Sequence, residues 1–349
     1  MSYIRKDILE LPAYKVPIAH ENAIKLDQNE CPWDLPIDLK VAISERLIKI
    51  DFNRYPLNEV IDLRKKIAKS NRVLPDQVCL SEGSNVILQA LVNLTSHRGK
   101  VLILNPSFAV YRDQAKVFGC ELIGVDLYEN FTLPVEALLN AMRTHKPDIV
   151  FIANPNAPTG NLFERDSLFR VLKAARCLVV IDEAYYPFSN ETLVDWLAEF
   201  PNLVLVRTFS KAFAMAGVRL GYAMGDAEIM DGLEKVLMPF RISSLTCAVA
   251  DQVLQNSHYV KDYMTLILKE RQRLFTEMKM MDHITVFASD ANFFLFRVAN
   301  ANRTFKALAQ KGVIVRNVSD EGLLKNCLRV TVGSPKENEV FLKVLAETL

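Results

Sequence analysis

Between about residues 78 and 224, short apolar runs alternate with amphipathic stretches. The runs fall at 78–80, 101–104, 122–125, 149–152, 178–181, 203–206 and 220–224. They are nearly continuous in apolar character, as strands are when both faces of a sheet are covered. The stretches between them, 135–143 and 165–175 for example, repeat at helical spacing. This alternation predicts an α/β fold with a mostly parallel, doubly wound sheet. After residue 240 the texture changes. A long helical pattern covers about 246–280, followed by strands at 284–287 and 293–298 and a helix near 304–311. Further strands at 313–316 and 328–332 precede a last helix over 335–347. That order predicts a second, smaller α+β domain. Residues 1–40 hold too many prolines and polar residues to form core, and are expected to pack as an arm on that domain or on a partner subunit. The expected division is therefore an arm over 1–40, a large domain over 41–240 and a small domain over 241–349.

Composition narrows the possible functions. At 349 residues the chain is long enough for a large domain with a smaller one. A net charge of +1 and the lack of a basic run give no reason to expect nucleic acid. The six cysteines are far apart, without a Cys-x-x-Cys pair, and the five histidines do not cluster, so no metal is expected. No apolar run is long enough to span a bilayer and the start has no signal core, which favours a reducing cytoplasm. Neither a Gly-x-Gly-x-x-Gly fingerprint nor a nucleotide P-loop is present, and these mark the commonest ligands of such a sheet.

Parallel strands bring their carboxyl ends to one edge, where ligands of open α/β sheets bind. The candidate residues follow strand ends. Lys211 comes after the run 203–206; among small and apolar residues its ammonium loses hydration, so its pKa should fall and leave an amine able to condense with a carbonyl. Asp182 and Tyr185 close the run 178–181. Arg219, eight positions after Lys211, has a planar fork suited to a phosphate. Gly83, Ser84 and Asn85 open a helix over 86–94, as an anion cradle or as a simple cap. The turn Asn154-Pro155-Asn156-Ala157-Pro158-Thr159-Gly160 could aim an amide at a ligand oxygen, and Phe108 could stack on a planar ring or be ordinary core. Each piece alone is commonplace. Together an amine for an aldehyde, a carboxylate for a ring nitrogen, a phenol for a phenolic oxygen and a guanidinium for a phosphate describe pyridoxal 5′-phosphate.

Asp182-Glu183-Ala184-Tyr185, Ser210-Lys211 with Arg219, and the Pro-Asn-Ala-Pro-Thr-Gly turn resemble the fold-type I pyridoxal-phosphate-dependent aminotransferases. Leu26-Asp27-Gln28-Asn29-Glu30-Cys31-Pro32, Arg54-Tyr55-Pro56 and Leu328-Arg329-Val330-Thr331-Val332-Gly333 are similar to the histidinol-phosphate aminotransferase family among them. The resemblance implies that the large domain binds the cofactor. Lys211 would carry it covalently and shuttle the substrate proton, Asp182 would keep its pyridine nitrogen protonated, and Tyr185 would bond its 3′ oxygen. Gly83, Ser84, Asn85, Thr208, Ser210 and Arg219 would surround its phosphate, with Tyr55 reaching the phosphate of the other subunit in a homodimer. Tyr14, Asn156, Arg316 and Arg329 would hold the substrate, the arginines taking either a carboxylate or a phosphate. Three positions depart from the family's habit. Asn85 and Val86 replace an acidic pair, Phe108 stands where tyrosine is usual, and Ala157 replaces an asparagine, leaving the ring oxygen to Asn156 or Tyr185. The implied reaction is ping-pong transamination between L-histidinol phosphate and 2-oxoglutarate, giving imidazole-acetol phosphate and L-glutamate for histidine biosynthesis. A threonine-phosphate decarboxylase or an aromatic-amino-acid aminotransferase of the same fold are the alternatives.

Overall fold

The computed structural model describes residues 3–11, 23–95, 98–320 and 322–349. Its strands are β1 (Ile24–Lys25), β2 (Val78–Ser81), β3 (Lys100–Asn105), β4 (Glu121–Asp126), β5 (Ile149–Ala153), β6 (Leu178–Asp182), β7 (Leu203–Thr208) and β8 (Gly221–Met224). There follow β9 (Thr285–Val286), β10 (Phe293–Arg297), β11 (Val313–Ile314), β12 (Arg316–Asn317) and β13 (Cys327–Thr331). The first seven helices are α1 (Lys6–Leu9), α2 (Ile37–Leu47), α3 (Asn58–Asn71), α4 (Ser84–Thr95), α5 (Ala109–Val117), α6 (Val135–His145) and α7 (Arg165–Ala174). The remaining six are α8 (Tyr186–Ser189), α9 (Ala227–Val236), α10 (Ser244–Gln255), α11 (His258–Lys279), α12 (Ala301–Gln310) and α13 (Pro335–Ala346).

Seven strands form the main sheet in the order β2-β8-β7-β6-β5-β3-β4. All pairings are parallel except those of β8, which runs against both β2 and β7. Alternation along each strand explains the double cover. Val150, Ile152, Val179, Ile181, Leu203 and Leu205 enter the core on one face. Ile149, Phe151, Val180, Val204 and Val206 enter a second core on the other. Burying each such side chain contributes about 1.5–3 kcal/mol, so a strand in the middle of this sheet tolerates little but aliphatic residues. A second sheet, β12-β13-β10-β9, is antiparallel, and its core of Phe293, Phe294, Phe296, Val330 and Phe341 lies apart from the first two. Its last helix is firmly started: Ser334 and Glu337 form a reciprocal capping box with Pro335 in the first turn.

The continuous strand expected at 313–316 is divided between two sheets. Val313–Ile314 pair in parallel with Ile24–Lys25, whereas Arg316–Asn317 pair with β13. Val315, 1% exposed, is the buried point of exchange. The single helix expected over 246–280 is two, interrupted at Asn256 and Ser257 between α10 and α11. α10 leans on α2 and α3 and gives Cys247, Ala250 and Val253 to the first core. The expectation that 1–40 contains no core fails at Leu26, which is 1% exposed within the second sheet's core. Among the described residues no helix is long and apolar enough to cross a membrane.

Candidate active site

Strands β3, β5, β6 and β7 deliver their following residues to one edge of the main sheet. At that edge Lys211 donates from Nζ to the Gln28 carbonyl at 2.6 Å. Burial, reinforced by the positive charge of Arg329, lowers its pKa to about 8. An appreciable share of the amine is then neutral and nucleophilic near physiological pH. Asp182, the last residue of β6, is almost wholly buried. Its Oδ2 accepts from the Tyr111 hydroxyl at 2.8 Å and its Oδ1 from the Ala184 N–H at 3.1 Å. Burial raises its pKa to about 6 while these two donors act against the rise, so the group is mostly ionised at neutral pH.

Tyr185 accepts from Asn29 Nδ2 at 2.9 Å and meets Phe293 edge-on, with ring centroids 5.1 Å apart. Burial raises its pKa, opposed by Arg329 and by the Asn29 bond, so the phenol stays protonated. Asn29 is fixed from three sides. Its N–H donates to Thr331 Oγ1 at 2.9 Å, that hydroxyl returns a bond to Oδ1 at 3.2 Å, and Asn292 Nδ2 donates to its carbonyl at 3.1 Å. The backbone there has φ 55°, which asparagine tolerates better than most residues.

A cationic corner forms where α4 begins. Gly83 has φ +87°, and a Cβ on it would overlap the Arg219 guanidinium, lying 3.1 Å from Cζ. A Cβ on Gly221 of β8 would lie 2.6 Å from the Gly83 carbonyl carbon, so both glycines are needed for this close approach. Arg219 Nη1 donates to Ser210 Oγ at 3.3 Å and to the Ala216 carbonyl at 3.1 Å. Ser210 N–H donates to Thr208 Oγ1 at 3.1 Å. Gly83, Ser84, Thr208, Ser210 and Arg219 thus come together beside the amide-rich start of a twelve-residue helix. Asn85 is exposed, and among the described residues it joins none of these bonds.

The turn after β5 buries Asn156 completely. Its Nδ2 donates to Thr159 Oγ1 at 2.7 Å and to the Pro106 carbonyl at 3.1 Å, while Oδ1 has no hydrogen-bond partner among the described residues. Phe108 is half-buried and stands edge-on to Tyr111 at 5.7 Å. Arg316 and Arg329 lie directly opposite each other on β12 and β13. Arg329 Nη2 donates to the Asp27 carbonyl at 2.7 Å, and its guanidinium lies 5.2 Å from the Phe293 ring centroid. Tyr14 lies outside the described residues. Tyr55 is separate from the group: it is exposed, stacks on Phe240 at 4.3 Å, and lines a cavity with Arg46, Asp62 and Cys247 that none of the strand-end residues reaches.

Several supporting residues lie outside the set expected from the sequence. Gln28 and Asn29 were visible only as part of a string. Tyr111 carried a usable signal, since it follows Phe108 by three positions at a helix start and so shares its face. The Glu183–Arg207 pair carried none. Those side chains, 1% and 3% exposed, meet at 2.7 Å just past β6 and within β7. Glu183 also accepts from the Leu193 N–H at 2.7 Å and the Thr192 hydroxyl at 2.9 Å. Arg207 bonds Asn71 and lies 3.8 Å from the Tyr186 ring centroid. The knot ties the end of the strand carrying Asp182 to the strand that leads to Lys211.

Known proteins are similar along nearly the whole chain. Residues 21–345 match the profile of the family described as aminotransferase class I and II. A histidinol-phosphate aminotransferase of Chlorobium chlorochromatii is 38% identical over 97% of this chain and 93% of its own length. Histidinol-phosphate aminotransferase 2 of Cupriavidus pinatubonensis is 40% identical, over 99% of this chain and 96% of its own. Among solved structures, that of histidinol-phosphate aminotransferase from Sinorhizobium meliloti in complex with pyridoxal-5′-phosphate superposes with a TM-score of 0.89. At 22% identity, covering 100% of this chain and 98% of that one, it shows the shared fold.

Proposed function

The chain belongs to the aminotransferase class I and II family and, within it, to the histidinol-phosphate aminotransferases, and on that premise we propose how its residues carry out the reaction. It is a pyridoxal 5′-phosphate-dependent transaminase that interconverts L-histidinol phosphate and 2-oxoglutarate with imidazole-acetol phosphate and L-glutamate. The residues fit the cofactor. Glycine at 83 and 221 leaves room for Arg219 against the start of α4, matching a phosphate, and the buried Asp182 matches a pyridinium. When bound, the cofactor supplies an aldehyde for amines and a protonated ring that takes up the electrons left at the substrate Cα.

The observation that carries the reading is the buried Asp182 carboxylate, held ionised on the sheet edge that also bears Lys211. In the positions assigned here, Lys211 Nζ is the base that takes the proton from the substrate Cα and later returns it. Its pKa of about 8 suits both directions near neutral pH. Asp182 would supply the negative charge that the ring nitrogen needs, and the Tyr185 hydroxyl, aimed by Asn29, would bond the ring oxygen. Asn156, whose amide oxygen has bonding capacity left, shares that end of the site. Arg219, Ser84, Thr208, Ser210 and the Gly83 backbone would hold the phosphate, with Asn85 at the periphery. Arg316 and Arg329 take the substrate's acidic group, a carboxylate in one half-reaction and a phosphate ester in the other. Phe108 would stack on the ring.

We assign a homodimer in which Tyr55 reaches the phosphate of the partner subunit. Tyr55 and Phe240 stack on each other while both stay exposed, with exposed Phe52 and Leu57 close by in the chain, which supports a covered face. We assign the enzyme to the cytoplasm, with 41–240 as the cofactor-binding unit. The relatives' names favour transamination over decarboxylation. The test is glutamate formation from histidinol phosphate and 2-oxoglutarate, with phenylalanine as a competing donor and threonine phosphate as a decarboxylation substrate. Glutamate formation lost in Lys211→Ala supports the assignment; carbon dioxide from threonine phosphate without glutamate overturns it.

A further inference from the structure

Tyr111 has no role in the assignment above, yet its hydroxyl is one of only two described donors to the Asp182 carboxylate. The ring is 1% exposed, stacked on Phe151 with centroids 4.9 Å apart and planes 9° apart, and met edge-on by Phe108. A phenylalanine would fill this slot equally well. A buried hydroxyl is costly unless its bond is made, and here the bond goes to the carboxylate of Asp182, the last residue of β6. Burial and the neighbouring negative charge push the Tyr111 pKa well above its usual value, so it remains a donor at any physiological pH. The other charged or titratable groups that influence Asp182 are Glu183, Lys211 and Tyr185. Arg207 neutralises Glu183, and Tyr185 is protonated, so neither replaces the Tyr111 bond.

We propose that Tyr111 is a positioning residue, whose clamped hydroxyl keeps the Asp182 carboxylate ionised and turned to serve the cofactor's ring nitrogen. This rests on the pyridoxal-phosphate reading above. Tyr111→Phe keeps the stack and removes the bond, and the measurement is cofactor affinity by equilibrium dialysis of cofactor-free protein. Two compounds are compared: pyridoxal 5′-phosphate and its 1-deaza analogue, in which CH replaces the ring nitrogen. The substitution is expected to weaken pyridoxal 5′-phosphate about tenfold or more, as loss of a bond to a charged group does, and to leave the analogue's affinity unchanged. In an Asp182→Asn background it should have no further effect on either compound. Equal weakening of both would mean that Tyr111 only packs, and no weakening of either would mean that Asp182 does not need it; both results overturn the proposal. If Tyr111→Phe does not fold, Phe151→Leu loosens the stack while keeping the hydroxyl. It must then weaken pyridoxal 5′-phosphate more than the analogue. Failure of the parent protein to bind either compound would instead defeat the cofactor reading itself.

Discussion

Replacing the reactive lysine should make the cofactor-free protein more stable. In Lys211→Met the perturbation removes an amine whose pKa falls from 10.5 to about 8 in the folded chain. That difference corresponds to about 3 kcal/mol of unfavourable interaction for the charged form. The lost Nζ bond to Gln28 returns roughly 1 kcal/mol, leaving a net gain of about 2 kcal/mol for an unbranched side chain of similar reach. Because the folded-state pKa lies below the unfolded one, the folded chain binds fewer protons between pH 8 and 10.5. The parent therefore gains stability as pH rises through that window and carries the full penalty only below it. For a chain of 349 residues, 2 kcal/mol corresponds to roughly 3 °C in Tm. The assay is thermal unfolding of cofactor-free parent and variant at one protomer concentration, at neutral pH and near pH 11. The variant should melt higher at neutral pH, and the gap should shrink and reverse near pH 11, where only the lost Gln28 bond remains. A variant that melts lower at neutral pH, or a gap independent of pH, would refute the reasoning that burial is what tunes this amine.

Three other outcomes can be checked. Arg207→Met leaves Glu183 charged and buried without its partner and should cost about 3–5 kcal/mol in denaturant unfolding, whereas Glu183→Leu with Arg207→Met should cost less than the single change. Gly221→Ala places a methyl group 2.6 Å from the Gly83 carbonyl carbon and should destabilise by about 1–3 kcal/mol while weakening pyridoxal 5′-phosphate at least tenfold by dialysis. Tyr55→Ser should shift sedimentation equilibrium toward monomer and raise the cofactor dissociation constant; an unchanged mass and affinity would remove Tyr55 from the interface.

The inner strands of the main sheet were legible because their residues face two cores at once, and the edge strand β4 by its apolar run alone. Val179, Val180 and Ile181 have no polar side to confuse the pattern, and Asp182 follows them as an abrupt change. Lys211 and Asp182 could be singled out for the same reason, since charge at the end of a buried strand is conspicuous, whereas Arg219, just before β8, stood out by its spacing from Lys211. The shorter strands were less legible. Val313 to Asn317 reads as one run, but pairing partners from distant chain segments decide where it divides, at Val315. The break between α10 and α11 is set by α10 lying against α2 and α3, a contact that no local pattern records. Asn29, Tyr111 and the Glu183–Arg207 pair escaped because their importance lies in what they touch across 20 to 300 positions of sequence. Tyr111 in an amphipathic helix and Arg207 in a strand look like ordinary residues until Asp182 and Glu183 are placed beside them.

The consecutive carbonyls of Asp27 and Gln28 are gripped by Arg329 and Lys211 respectively. A peptide that is paired with the lesser sheet through Leu26 therefore also senses whether the amine is occupied. Once that nitrogen is engaged elsewhere, the Gln28 oxygen loses its donor while its neighbour keeps the guanidinium. Engagement of the lysine elsewhere thus costs the amino-terminal segment one hydrogen bond, leaving the Leu26 pairings to hold it.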